Sequence, residues 1–448
     1  MSDRISELPD DIILSNILSS LTLRDAVKAR FLSLRWRYLS APISTLQFDL
    51  FNMFGIEFVK KDDYLDKLQH KNIVREFKSR FLTAVDQFLQ LYIAPKITTF
   101  LVHFCLGNES ASHIDKWVAF AIRMEAKEID LYFSEYQKSC EPYSFPFHLL
   151  HSESDHLKHL RLGACTLRPS PELASRLNSL AILDLSDVIL ENNNHLESVL
   201  SGCLNLECLK LRNCRLPLTL CIHGHQFRQL KTLILHQIPY PHGPWFFELN
   251  SIDLETLDYR GFSMSYTFVS CSCLAKVIIC ISGDAWGILD LVFNNLPSNL
   301  PQLQNLTLHL WSEHPLPIPE IMPRFTSLKQ LELSILVSSD VDLLTITFIL
   351  NAAPLLEKIH LKLKNKSSNG PRQTREHSNR LHLHLKDVEI SGFGEKSNEM
   401  ELAIYLLKNA VALERMIVAI GDDDTMREKV HYLLLKEKVN SRVELIVL

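Results

Sequence analysis

The sequence predicts a mixed α/β chain: a small helical module at the N-terminus, then a solenoid of short parallel strands with helical or irregular returns, a horseshoe in outline. Three observations predict it. The pattern Leu-x-x-Leu-x-Leu, other aliphatics allowed, recurs along most of the chain, and successive copies start 20 to 31 residues apart. No single copy can cover its own apolar face, so a run of copies at this interval has to stack. The first forty or so residues lack the pattern and read instead as short amphipathic helices.

The N-terminal module comes first in the chain. In ISELPDDIILSNILSSL, Pro9 suits the first turn of a helix, and Asp10 and Asp11 follow where the positive end of the helix dipole favours carboxylates. Ile13, Ile17 and Leu21 then fall on one stripe, which Leu14 and Leu18 widen. Thr22 and Asp25 are spaced as a capping box for a second helix carrying Val27, Phe31 and Leu32, and SLRWRYL supplies a third. A module of about 40 residues is marginal alone. Its surplus apolar surface, and Trp36 set between two arginines, call either for a partner polypeptide or for packing on the chain that follows.

Next, SRFLTAVDQFLQLY places Phe81, Val85, Phe88 and Leu89 at helical spacing, as expected of a helix capping the open end of a stack. The repeats follow. Looser copies start at Ile97 and Ala126; fuller ones are LKHLRL from Leu157, LAILDL from Leu180, LECLKL from Leu206, LKTLIL from Leu230 and LETLDY from Leu254. The series continues with LAKVII from Leu274, LQNLTL from Leu303, LKQLEL from Leu328, LEKIHL from Leu356, LKDVEI from Leu385 and LERMIV from Leu413. This is the leucine-rich-repeat period, and LECLKLRNC extends it to the form whose Cys214 turns the chain under the strand. Between strands, NNHLESVLSGC puts Leu196, Val199 and Leu200 on one helical face for the convex side. The polar, basic stretch at about 362–380 reads as a mobile loop.

Alternation within each strand sends the residues between the pattern aliphatics to the open face. The candidate target-binding residues there are His159, Arg161, Lys210, Arg212, His236, Arg260, His309 and Trp311, beside Asp184, Asp258 and His360. An exposed aromatic such as Trp311 next to a charged strip suits a protein target.

Several function classes are excluded or disfavoured. The net charge of −5 over 448 residues gives no reason to expect nucleic acid or an anionic membrane as partner. No stretch nears the roughly 18 apolar residues of a span, and the polar, acidic opening is not an export signal. Ten cysteines are scattered rather than framed, which fits a reducing compartment, cytosol or nucleus. There is no phosphate-binding glycine loop, nucleophile elbow or His-Glu-x-x-His, and CSC at 271–273 lacks metal spacing. No catalytic residue, metal site or cofactor is expected.

Residues 3–39 resemble the F-box in its plant form, on Asp3 to Ser6, Leu8 to Asp10, Asp25 to Val27, and Leu32, Ser33, Arg35, Trp36 and Arg37. Thr22 and Leu34 depart from it, at positions where the family often has proline and a basic residue, and neither removes an apolar anchor. The resemblance implies docking on the Skp-type adaptor of an SCF (Skp, cullin, F-box) ubiquitin ligase. The implied contacts are Leu8, Pro9, Ile12, Ile13, Ile17, Leu18, Val27, Leu32, Trp36 and Arg37, with Trp36 an anchor shared between the two chains. Residues 387–418 resemble the FBD motif found behind repeats in plant F-box proteins, on Leu406 to Ala410 and Leu413 to Met416; FILNAAPLLEKIHL at 348–361 is a near copy of the same unit.

The expected organisation is an F-box at 1–46, a helical linker and cap at 47–95, repeats at 96–384, and FBD-like terminal repeats at 385–448. The function implied is that of a non-catalytic substrate receptor that holds an unidentified target protein. The alternatives are an interaction scaffold, or a receptor that needs a small molecule, uncoupled from ubiquitination.

Overall fold

A computed structural model describes residues 8–17, 21, 25, 29, 35–36, 44–56, 64–92, 96–133, 141–150, 155–168, 177–190, 196, 198–200, 202–215, 219–223, 229–236, 246–262, 265–282, 291–311, 318–319, 321–337, 342–365, 380–394, 396–421, 424–438 and 442–448. They belong to two compact units, Met1–Pro217 and Leu218–Leu448.

The first unit opens with helix α1 (Asp10–Ile12), which runs on through a wider turn, Ile13–Ile17. After it come strand β1 (Thr45–Asp49), helices α2 (Leu50–Phe54) and α3 (Tyr64–Gln90), strand β2 (Thr99–His103), helix α4 (Ala111–Arg123) and strand β3 (Glu128–Tyr132). The unit continues with β4 (Tyr143–Ser144), β5 (His159–Gly163), β6 (Cys165–Thr166), β7 (Ile182–Ser186) and β8 (Cys208–Arg212). Strands β1, β2, β3, β5, β7 and β8 pair in that order, all parallel.

The repeat pattern sets the register. Leu160, Leu183 and Leu209 align across neighbouring strands, as do Leu162, Leu185 and Leu211, and all six are buried. At roughly 1.5–3 kcal/mol for each enclosed leucine, the apolar ladder is the main force holding repeat to repeat. One residue past each of three strands, Ala164, Asp187 and Asn213 take left-handed backbone, with φ of 52°, 56° and 50°. Just past Asn213 the Cys214 thiol is buried and donates to the Leu185 carbonyl of the preceding repeat at 3.3 Å.

Strand β1 lies in a stretch where the sequence analysis expects only helices. Its TLQFD alternates as a strand should, with Leu46 and Phe48 buried, and with Ile43 ahead of it the sequence ISTLQF is one more loose copy of the repeat, passed over because it follows the helical module directly. The helix expected over Phe81, Val85 and Phe88 forms as α3. Phe81 stacks on Phe104 at 4.3 Å and meets Trp117 of α4 edge-on at 6.3 Å, while Phe88 meets Phe48 at 5.5 Å. Asp86 of α3 accepts from the Trp117 indole at 2.7 Å, which satisfies a polar group that packing would otherwise strand.

The second unit has β9 (Thr219–His223), β10 (Thr232–His236), β11 (Phe246–Asn250), β12 (Thr256–Gly261), β13 (Ser265–Val269) and β14 (Lys276–Ser282). Then come α5 (Leu296–Asn299), β15 (Asn305–Trp311), β16 (Gln330–Val337), α6 (Ile346–Ala352), β17 (Lys358–Asn365), β18 (Asp387–Phe393), α7 (Ser397–Asn409), β19 (Arg415–Ile420), α8 (Asp424–Glu437) and β20 (Glu444–Val447). Strands β10, β12 and β14 to β20 form a parallel ladder in chain order.

Where helical or irregular returns are expected between β8 and β14, a second parallel ladder forms, β9–β11–β13. Its strands are short alternating runs such as FFELN, with Phe247 and Leu249 buried. The basic stretch at about 362–380 also differs at its start, because Lys362, Leu363 and Lys364 belong to β17; residues 366–379 lie outside the described residues.

Candidate functional site

Two surfaces bear on function. The first is the N-terminal module. Ile13, Ala29 and Trp36 form its core, with Leu8, Ile17 and Leu21 packed against them. Ile13, Ile17 and Leu21 are the stripe that the helical spacing predicts. Trp36 is only 4% exposed, so its indole packs with Ile13 and Ala29 rather than projecting outward. Arg35 reinforces that packing, donating to Asp10 Oδ1 from Nε at 2.8 Å and from Nη2 at 2.5 Å and to the Leu8 carbonyl. Since both partners of the ion pair face solvent, its contribution is small beside the packing.

Pro9, Asp10, Asp11 and Asn16 are exposed, and Ile12 is an aliphatic side chain 39% exposed on the outside of the first helix. The ten residues expected at the adaptor thus divide. Ile13 and Trp36 are interior, Leu8 and Ile17 half-buried, and Pro9 and Ile12 outward; Leu18, Val27, Leu32 and Arg37 lie outside the described residues.

The second surface is the open strand face. In the first unit, Asp130, Arg161, Asp184 and Lys210 align across β3, β5, β7 and β8. Arg161 donates to Asp130 Oδ2 from Nη1 at 2.6 Å and to Asp184 Oδ2 from Nε at 3.3 Å. Arg212 reaches both Asp184 oxygens from Nη1, at 3.1 and 2.9 Å, and His103 Nε2 lies 3.0 Å from Asp130 Oδ1. Burial by itself would raise the Asp130 carboxyl. Hydrogen bonds and charge from His103 and Arg161 outweigh burial and hold it below the ordinary carboxylate range. His159 is exposed at the start of β5. Tyr132 lies across Gly163, where a Cβ would meet the ring at 2.0 Å, and its hydroxyl reaches Asp187 at 3.0 Å.

On the second unit's face, Arg260 is bidentate on Asp258, both contacts 3.0 Å, and His236 Nε2 lies 3.2 Å from the same carboxylate. His309 Nδ1 sits 2.5 Å from Ser334 Oγ, with Nε2 3.4 Å from Glu332, which Lys362 also binds at 2.5 Å. His360 lies 3.1 Å from Ser391 Oγ and 3.4 Å from Glu389. Burial lowers the pKa of both His309 and His360 despite the carboxylates beside them. Trp311 is in β15, and its side chain lies outside the described residues.

The eight expected target-binding residues all fall on strands β5, β8, β10, β12 and β15; Arg212, His236 and Arg260 are tied to the expected Asp184 and Asp258, while Arg161 and His309, and His360 beside them, also reach carboxylates that sequence reasoning passed over, Asp130, Glu332 and Glu389. The signal for these was available: each sits between two pattern aliphatics, the offset that also marks Arg161 and His360. Among the described residues no three metal-ligating side chains gather in one place, and no helix is long and apolar enough to cross a membrane.

Residues 5–41 match the F-box domain, and residues 91–439, well over half the chain, match the family described as At1g61320/AtMIF1, LRR domain. The chain belongs to the F-box/leucine-rich-repeat family. Curated relatives are Arabidopsis thaliana proteins. One, F-box/LRR-repeat protein At5g02910, is 28% identical over 242 residues, 54% of this chain and 45% of that protein. Another, F-box/FBD/LRR-repeat protein At3g52680, is 32% identical over 213 residues, 47% of this chain and 40% of its own length. A third, F-box/FBD/LRR-repeat protein At5g56420, is 24% identical over 440 residues, 95% of this chain and 94% of its own. This chain therefore spans about half the length of the first relatives it matches and nearly all of the third.

Proposed function

We propose that this F-box/leucine-rich-repeat chain is the substrate-receptor subunit of an SCF-type ubiquitin ligase. The observation that carries the reading is a core of Ile13, Ala29 and Trp36 beside which Pro9 and Ile12 still turn outward, within the stretch matched by the F-box. An aliphatic held out on a folded surface is the feature a partner polypeptide buries. In this reading Pro9 and Ile12 contact a Skp-type adaptor, while Ile13 and Trp36 shape the surface from within; Leu18, Val27, Leu32 and Arg37 complete the contact set. The repeats hold a target protein on their strand face.

The chain contributes no catalytic group. Its effect on transfer is proximity, raising the local concentration of target lysines near a ubiquitin-charged enzyme. The proposed division is an F-box at 1–46, linker and cap at 47–95, repeats at 96–384 and FBD-like repeats at 385–448, working in cytosol or nucleus.

The test is capture of a plant Skp-type adaptor by the full chain, with a Pro9→Ala/Ile12→Asp variant shown to be folded by circular dichroism. Capture by the intact chain and its loss in the variant are expected. Equal recovery with both, or none with either, leaves an interaction scaffold as the function.

A further inference from the structure

The two strand faces differ in where their carboxylates lie. On the second unit, Asp258 is only 11% exposed beneath Arg260, but Glu332 and Glu389 remain 30% and 36% exposed, so a ligand meets both signs of charge. On the first unit, Asp130 and Asp184 are 1% and 2% exposed, covered by the guanidinium groups they bind, while Arg161 and Arg212 stay 45% and 39% exposed. A ligand there meets cations lying over hidden anions. The buried carboxylates also fix the side chains. Arg161 is held from two sides and Arg212 by two contacts to one carboxylate, so little rotamer freedom is left to lose on binding.

A guanidinium carries five N–H donors in a rigid fork. Arg161 directs Nε and one Nη1 hydrogen to Asp184 and Asp130, and Arg212 directs Nη1 to Asp184, so further donors of both remain for a ligand. Lys210 stands in the same cross-strand row as Arg161, with Asp184 between them. Two strand spacings separate Arg161 from Lys210, about 10 Å, which matches three residues of an extended chain at about 3.3 Å each. Two further anions bound the strip: Asp187 beyond the strand ends, tied by Tyr132 at 3.0 Å and Asn213 at 2.5 Å, and Glu128 at the start of β3, in register with His159.

We propose that the face of β5, β7 and β8 binds an extended acidic segment of a protein partner, one carboxylate on Arg161 and another, about three residues along, on Lys210 and Arg212. This rests on the reading of the strand face as the target surface, and names the chemistry of the target.

The experiment is fluorescence anisotropy on the full chain with a labelled peptide carrying Asp or Glu at every third position. Comparison probes are its Asn/Gln counterpart, a phosphoserine counterpart and a short single-stranded DNA. The acidic peptide is expected to bind and the amide peptide not. Arg161→Gln strands two buried carboxylates and tests folding as much as binding. The decisive variant is therefore Lys210→Glu, since Lys210 is not among the groups that hold Asp184. It is expected to weaken binding at least about tenfold, the scale of a close charge pair, while Lys362→Glu on the other unit changes it less than about twofold. Equal binding of the amide peptide, preference for phosphoserine or DNA over the acidic peptide, or equal effects of the two lysine variants would overturn the proposal. Adaptor capture is measured on the same preparation: its loss with peptide binding intact strikes the ligase reading alone, and the reverse strikes this proposal alone.

Discussion

Replacing Trp36 with alanine and replacing Ile12 with aspartate should separate folding of the N-terminal module from its binding. A buried indole removes about 150–250 Å² from water, worth roughly 4–6 kcal/mol at about 25 cal/mol per Å², and measured aromatic-to-alanine losses run at about 3–5 kcal/mol. A segment of about 40 residues has only about 2–6 kcal/mol to lose. Trp36 is the largest member of a core whose other fully described members are Ile13 and Ala29. Trp36→Ala is thus expected to unfold the module and leave the repeats intact. Hydrogen exchange would show loss of protection in peptides covering residues 8–36 with the strand ladders unchanged. Ile12, 39% exposed, takes little part in that core. Ile12→Asp should shift module stability by no more than about 0.5 kcal/mol, yet cost at least about 2 kcal/mol of adaptor binding, a weakening of about thirtyfold. If Trp36→Ala keeps its protection, the packing argument fails. If Ile12→Asp keeps full adaptor affinity, the assignment of the exposed face fails.

Acid should destabilise the chain in two stages. His309 and His360 have pKa values lowered by burial, so the unfolded chain takes up protons first, and thermal stability should begin to fall below about pH 6.5; His309→Asn with His360→Asn should flatten that limb. Asp130 and Asp258 are held below the ordinary carboxylate range, so their contribution is present above about pH 4 and lost as pH falls further; Asp130→Asn should flatten the second limb. Gly392, at φ +74° on the bulge of β18, would place a Cβ 2.1 Å from the Leu363 carbonyl oxygen, and Gly392→Ala should cost at least about 2 kcal/mol, read as a melting point lower by several degrees. Thiol labelling of the native chain should reach exposed Cys273 quickly and leave buried Cys165, Cys203 and Cys214 unmodified; burial pushes the last two up to about 12 and Cys165 higher still.

The ladders were legible because their signal is redundant. All thirteen copies of the leucine pattern, from ITTFLV to LERMIV, fall on strands, and the stated leucines are core. Leu196, Val199 and Leu200 are buried as their spacing implies, and the helix expected before Ala410 forms as Ser397–Asn409. What escaped were strands without the leading aliphatic, ELIV and the TLCIH, FFELN and SYTFV of the second ladder, together with TLQFD, a loose copy led by Ile43. Five residues with simple alternation satisfy a strand and a short loop equally well, and only tertiary pairing decides. The placement of the strand-face cations was legible. Cations between pattern aliphatics do reach the open face, but which carboxylates hold them depends on cross-strand register, and whether Trp36 faces in or out depends on packing between helices that periodicity along one chain does not encode.

The role proposed for the N-terminal module is tested most directly by hydrogen–deuterium exchange on the full chain, alone and saturated with a plant Skp-type adaptor. New protection is expected in peptides covering residues 8–36 and none on strands β5 to β8. Protection on those strands with residues 8–36 unchanged, or no protection anywhere at saturating adaptor, would contradict it.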